Sequence, residues 1–197
     1  MGRPKAGEPE LGRELIAETA LDILDSEGLE ALSLSQIARV LNVQTSALYW
    51  YFKSKAALYE YLCELIFRRV LDDVDPSLTG RDLLYAFGRG FRSNARSSRD
   101  AAKLISVGGV SEGLRTELIP GLLRRVAVGG ISPLEARQAV TAIEALSLGW
   151  AIFEGSQNPV VGEVMRQTND QNDSAFERAL HALAYGFGTD SAKKNPA

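Results

Sequence analysis

Leu41-Asn42-Val43-Gln44-Thr45-Ser46-Ala47-Leu48-Tyr49-Trp50-Tyr51-Phe52-Lys53-Ser54-Lys55 is the stretch that decides how this chain is read. Just upstream, Ser33-Leu34-Ser35-Gln36 has the spacing of a capping box, in which the serine hydroxyl and the Gln36 side chain satisfy backbone donors left over at a helix start. Leu34, Ile37, Ala38 and Leu41 then recur at helical spacing as one apolar face. Asn42-Val43-Gln44 interrupts that face, and a short helix is expected from Thr45 to Tyr51. Two short helices joined by a three-residue turn form a helix-turn-helix, here over Ser33 to Lys55. The residue types suit its demands. Ala38 is small where the helices must cross. Asn42 tolerates positive φ, though glycine would do so more easily. Val43 can plug the turn, and Ala47, Leu48 and Phe52 can anchor the second helix inward. Tyr49, Trp50, Tyr51 and Phe52 point around the whole circumference, so a helix this short cannot bury all four.

The outward set is then Gln44, Thr45, Ser46, Tyr49, Trp50 and Tyr51. Gln can pair with adenine in the major groove, and Thr and Trp can touch a thymine methyl. Tyr hydroxyls and Ser35 suit phosphate oxygens, with Lys53 and Lys55 where a backbone would pass. The net charge of −3 argues against a nucleic-acid partner in bulk. Locally the sign reverses: from Ala31 to Tyr59 there is no Asp or Glu, while Arg39, Lys53 and Lys55 are basic. The acids of the first helix (Glu14, Glu18, Asp22, Asp25, Glu27) must then face away from a duplex. Arg3 and Lys5, in a Gly-Arg-Pro-Lys arm, could enter a minor groove.

Working outward, the pattern is helical nearly throughout. A first helix carries Leu15, Ile16, Thr19, Ala20, Ile23 and Leu24. A fourth opens at Ser54 and lasts until Pro76, and a fifth begins near Thr79. A shorter one runs from about Asp100 to Val107. The next, about Glu112 to Val128, contains Pro120-Gly121, which should kink or split it. Ser132-Pro133-Leu134-Glu135 is the strongest start signal, with a Ser cap, Pro first and Glu third, for a helix to about Phe153. Gly155 to Asp173 reads as an irregular loop, Ser174 to Phe187 as a last helix, and Thr189 to Ala197 as a disordered tail. The expectation is an all-α fold of about nine helices. Residues 1–55 form a three-helix helix-turn-helix domain, 56–188 an effector-binding and dimerisation domain, and 189–197 the tail.

The 197 residues have 45% hydrophobic and 24% charged composition, enough for a sizeable core. One cysteine, Cys63, excludes an intramolecular disulfide and a Cys-rich zinc site, and reads as a small buried hydrophobe. The sole histidine, His181, has no partner nearby in sequence. No apolar leader or run long enough to span a membrane occurs, so a cytoplasmic location is expected. No cofactor or metal is implied. A small helical enzyme finds little support, since no nucleophile–base or metal-ligand spacing is present. A DNA-binding regulator without a small ligand stays open.

Leu41 to Leu58 resembles the signature of the tetracycline-repressor family, glycine-valine, a short polar run, leucine-tyrosine, an aromatic pair, then lysine and leucine, with Asn42 in place of the glycine. Arg99-Asp100-Ala101-Ala102-Lys103 and Leu146-Ser147-Leu148-Gly149 are similar to further stretches of the tetracycline repressors. The resemblance implies a homodimeric repressor that leaves operator DNA when a small inducer binds. It places Ser35, Gln44, Thr45, Ser46, Tyr49, Trp50, Tyr51 and Lys55 at DNA-contacting positions. It does not carry a magnesium–tetracycline site, because Ile105 stands where those repressors have a metal-coordinating histidine and Phe87 where they have an asparagine. The expected pocket is more apolar, with Phe87, Phe91, Leu104, Ile105, Leu114, Leu118, Trp150 and Phe153 as candidates. For the dimer, Val140, Ile143, Leu146 and Trp150 of one helix and Phe176, Leu180, Leu183 and Phe187 of the last suggest a four-helix bundle across a two-fold axis. The alternative is that both helices are buried within one chain.

Overall fold

A computed structural model describes residues 11–97, 100–155 and 169–187. Among them the chain is helical, with no strand: α1 (Arg13–Glu27), α2 (Leu34–Val40), α3 (Thr45–Leu48), α4 (Lys55–Asp72), α5 (Gly80–Arg96), α6 (Ala101–Val107), α7 (Ile119–Val126), α8 (Pro133–Glu154) and α9 (Asn169–Gly186). The first three helices form the helix-turn-helix unit. α4 leaves it and packs on α5, and α5 is the central helix, touching α4, α6, α7, α8 and α9. One apolar core runs unbroken from Ile16 in α1 through Phe52, Leu62 and Phe87 to Leu180 in α9.

Local chemistry explains several boundaries. Ser132 accepts from the Glu135 amide while Glu135 accepts from the Ser132 amide, a complete capping box with Pro133 in the first turn. Ser54 caps α4 by accepting from the Ala57 amide at 3.1 Å. Ahead of Pro120 the backbone widens into a π turn, Leu114–Leu118, before α7 begins at Ile119. A proline lacks the amide and crowds the carbonyl four residues back, so a wider turn carries the helix past it unbroken. Pro120 therefore does not split the helix. Gly88 lets α5 nestle between α8 and α9: a methyl built there would stand 2.4 Å from a Leu180 carbon and 2.8 Å from one of Ile143. The Ser147 hydroxyl closes the same contact by donating to the Gly88 carbonyl at 3.1 Å.

Three expectations change. The last helix begins at Asn169 rather than Ser174. The third helix proper ends at Leu48, and Tyr49 to Tyr51 continue as turns. Of the faces expected to meet a second copy, Val140, Ile143, Phe176 and Leu180 are at most 5% exposed in the chain's own core, while Leu146, Trp150, Leu183 and Phe187 are partly buried against it. The faces of α8 and α9 left open are different ones, with Leu134, Thr141, Ala145 and Ile152 on α8 and Ser174, Arg178 and His181 on α9. His181 stacks on Tyr185 there, ring centroids 4.4 Å apart. Cys63 is buried as expected, and burial pushes its thiol up to about 11. Thr189 to Ala197 lies outside the described residues.

Candidate nucleic-acid interface

The turn between α2 and α3 has the geometry its sequence requires. Asn42 adopts φ 52°, the only positive φ of a non-glycine residue among those described. The Val43 amide then donates back to the Ala38 carbonyl at 3.0 Å, closing the turn over the small residue. Leu48 and Phe52 are fully buried, and the Phe52 ring meets that of Tyr61 on α4, centroids 5.4 Å apart. The Arg13 guanidinium lies over the rings of Phe52 and Tyr61, 4.9 and 4.4 Å from their centroids.

The outward set is largely as expected. Gln44, Ser46, Tyr49 and Trp50 are exposed and Thr45 is half-buried. Trp50 is 81% exposed, and its ring carries the Lys53 ammonium 5.5 Å from its centroid. Ser35, Arg39, Lys53 and Lys55 are exposed on the same acid-free stretch. Lys55 lies over the Tyr59 ring at 5.2 Å. Tyr51 departs from the set: it is half-buried and its hydroxyl donates to the Leu11 carbonyl at 2.5 Å, tying the reading helix to the start of α1. The start of α2 departs too. Ser33 accepts from the Gln36 amide, but the Gln36 side chain donates to Glu27 and accepts from Arg39 instead of reaching back, so the expected capping box is half made. Gln36 thereby holds an α1 acid and an α2 base in one chain of contacts. Arg3 lies outside the described residues.

Of the expected ligand residues, Phe87, Phe91, Leu104 and Leu114 are buried in the main core, and Phe67, Phe87 and Phe91 form a ladder of tilted rings 5.6 and 5.7 Å apart. Ile105 and Leu118 are partly buried against that core. The Trp150 indole donates to Asn172 at 3.2 Å and meets Phe176 edge-on. Phe153 stands apart, 51% exposed at the end of α8.

Two further contacts tie α6 to the helix-turn-helix unit and to α4, and neither has a local sequence signal. The buried Asp100 carboxylate, at the start of α6, accepts from the Leu29 amide at 2.8 Å, across 71 residues. The end of α6 presses on α4 at Gly108, where an added methyl would lie 2.2 Å from the Cys63 sulfur. Further back, Arg92 is buried and ion-paired with Glu154 and Asp173, its guanidinium 4.3 Å from the Phe176 ring centroid. Among the described residues no helix is long and apolar enough to cross a membrane, and no three His, Cys, Asp or Glu are grouped to hold a metal.

Comparison with known proteins agrees with this geometry. The model of bacterial regulatory proteins of the tetR family matches residues 16–62, from the first turn of α1 into the first half of α4. The class C tetracycline repressor protein of Escherichia coli is 32% identical over 189 residues, covering 92% of this chain and 85% of its own. Among solved structures, a single-substitution variant of TetR from Acinetobacter baumannii AYE in complex with minocycline superposes with a TM-score of 0.74 at 24% identity, over 95% of this chain and 100% of that one. BioQ with its double-stranded DNA operator gives 0.65 at 24% identity, over 88% and 99%. The chain belongs to the tetracycline-repressor family of bacterial regulatory proteins.

Proposed function

We propose that the protein is a homodimeric transcriptional repressor that holds operator DNA through the exposed face from Ser35 to Lys55 and is released by a small, largely apolar inducer. The observation that carries this reading is the Asn42 turn, which presents Gln44, Tyr49 and Trp50 outward within a stretch, Ala31 to Tyr59, that has no Asp or Glu in an otherwise acidic chain. The minocycline complex of the Acinetobacter TetR and the operator complex of BioQ support it by likeness of fold. With few cations per reading unit, useful affinity depends on pairing two units, each addressing a half-site about one helical turn from the other. The open faces of α8 and α9 are the surfaces available for that pairing.

The inducer would lodge among Phe87, Phe91, Leu104, Ile105, Leu114, Leu118 and Trp150, around the central helix α5, with Phe153 outside this group. An occupant there must displace α6 or α7, since the ring ladder is packed. α6 touches α4 through Gly108 and the helix-turn-helix unit through Asp100, so its displacement changes how that unit is held. Gel shifts with DNA from upstream of the gene test the reading. Saturable, sequence-specific binding is expected, whereas binding that competitor DNA of any sequence removes equally would refute it.

A further inference from the structure

The end of α1 faces the end of α5, the start of α6 and the end of α8 across a cavity of about 770 Å3. That volume falls within the range that holds drug-sized molecules, roughly 300 to 1,000 Å3. Its floor explains why it is open. Ala95, Ala102 and Ala151 come from three different helices, meet as a small apolar cluster apart from the main core, and line the cavity. Three methyl groups cannot fill the space where three helix ends converge. The roof is the turn from Glu27 to Glu30, which belongs to the helix-turn-helix unit. None of the residues around which the inducer is proposed to lodge lines this cavity.

The charges around it are unbalanced. Among the described residues four carboxylates line the cavity, Glu27, Glu30, Asp100 and Glu154, with two cations, Arg96 and Lys103, and Glu154 is also paired with the buried Arg92. Both cations are already engaged within the site: Arg96 with Glu154 at 3.3 Å and Lys103 with Asp100 at 2.7 Å. Glu27 accepts only the neutral Gln36 amide group, at 3.0 Å, and neither it nor Glu30 has an ion pair among the described residues. An apolar floor beneath an excess of carboxylate is complementary to a cation with a hydrophobic body, and repels an anion of the same shape.

We propose that this cleft is a second ligand site, specific for a small lipophilic organic cation. Its occupant touches the reading unit above and α5, α6 and α8 below. It therefore favours the docked arrangement that the Asp100–Leu29 hydrogen bond also holds, and alters operator affinity by the factor by which operator alters its own binding. Only this last coupling rests on the DNA-binding reading.

Titration calorimetry of the full chain without DNA, with tetraphenylphosphonium and with tetraphenylborate, tests the site, because the two ions match in size and oppose in charge. Saturable binding of one phosphonium per chain is expected, with the borate at least tenfold weaker. Glu27→Gln combined with Glu30→Gln, both at exposed positions, should weaken phosphonium at least fivefold. Ala102→Met, which projects into the cavity, should weaken it at least tenfold while a thermal melt shows the fold intact. Equal affinity for the two ions, no saturable phosphonium binding, or phosphonium binding that the Glu27/Glu30 pair leaves unchanged would each overturn the site. An operator affinity unmoved by saturating phosphonium would overturn the coupling. Because the calorimetry contains no DNA, its result is independent of whether the operator reading holds.

Discussion

Glu144 on α8 is the group through which pH should act most directly on stability. It is half-buried, and loss of hydration pushes its carboxyl up to about 7. An unfolded glutamate titrates near 4.3. Between those values the folded chain keeps a proton that the unfolded chain has released, so stability falls as pH rises through the window and is level above it. Nothing is lost below about pH 4, where both states are protonated. A shift of roughly two and a half pH units corresponds to at most about 3 to 4 kcal/mol, and water reaching the half-buried side chain brings that toward about 2 kcal/mol. Glu144→Gln keeps the shape and removes the charge. It should raise the melting temperature at pH 8 by about 4 to 8 °C, since 1 kcal/mol moves a chain of this size by about 2 to 4 °C. At pH 4 the same variant should melt within about 1 °C of the parent. Calorimetric melts at both pH values and one fixed protomer concentration measure this, the concentration mattering because assembly also stabilises. An equal gain at both pH values, or a loss at pH 8, would show that the carboxylate is not held in its neutral form.

The remaining predictions concern geometry. Asn42→Val puts a β-branched residue at φ 52° and should cost about 1 to 3 kcal/mol in denaturant melts, while Asn42→Gly should be neutral or better. Trp50→Ala should leave the melting temperature within about 1 °C, its ring being exposed, and yet weaken operator binding at least tenfold in gel shifts. Gly108→Ala should cost about 1 to 3 kcal/mol because its methyl collides with Cys63, and a cycle with Cys63→Ala should recover part of that loss.

Much of this was legible before any coordinates, and the failures have physical causes. Ser132 and Glu135 announce α8 because both partners of the cap lie within four residues. Asn42 announces its turn because few residues accept that backbone. The start of α9 was hidden, since Asn169-Asp170-Gln171-Asn172 is poor helix-forming sequence. Its first turns are held from outside, by Asn172 bonding Trp150 and Glu154 and by Asp173 bonding Arg92. Gln36 looks like half of a capping box and Tyr51 like a wholly outward residue because the partners they take, Glu27 and Leu11, are brought near only by the packing of α1. The apolar stripes of α8 and α9 left two readings open, a second copy or the same chain, for a similar reason. An apolar stripe says that something covers it, and α5 of the same chain is what does so.

The hydrogen bond from Leu29 to Asp100 makes one backbone amide a natural gauge of the molecule's internal state. That amide lies in a turn and spends no bond on secondary structure, so it can exchange with solvent deuterium once it leaves the carboxylate. Its exchange rate therefore counts how often the reading unit lifts from α6. Measured at residue 29 with and without a ligand, it would report the direction of the switch without any DNA in the tube.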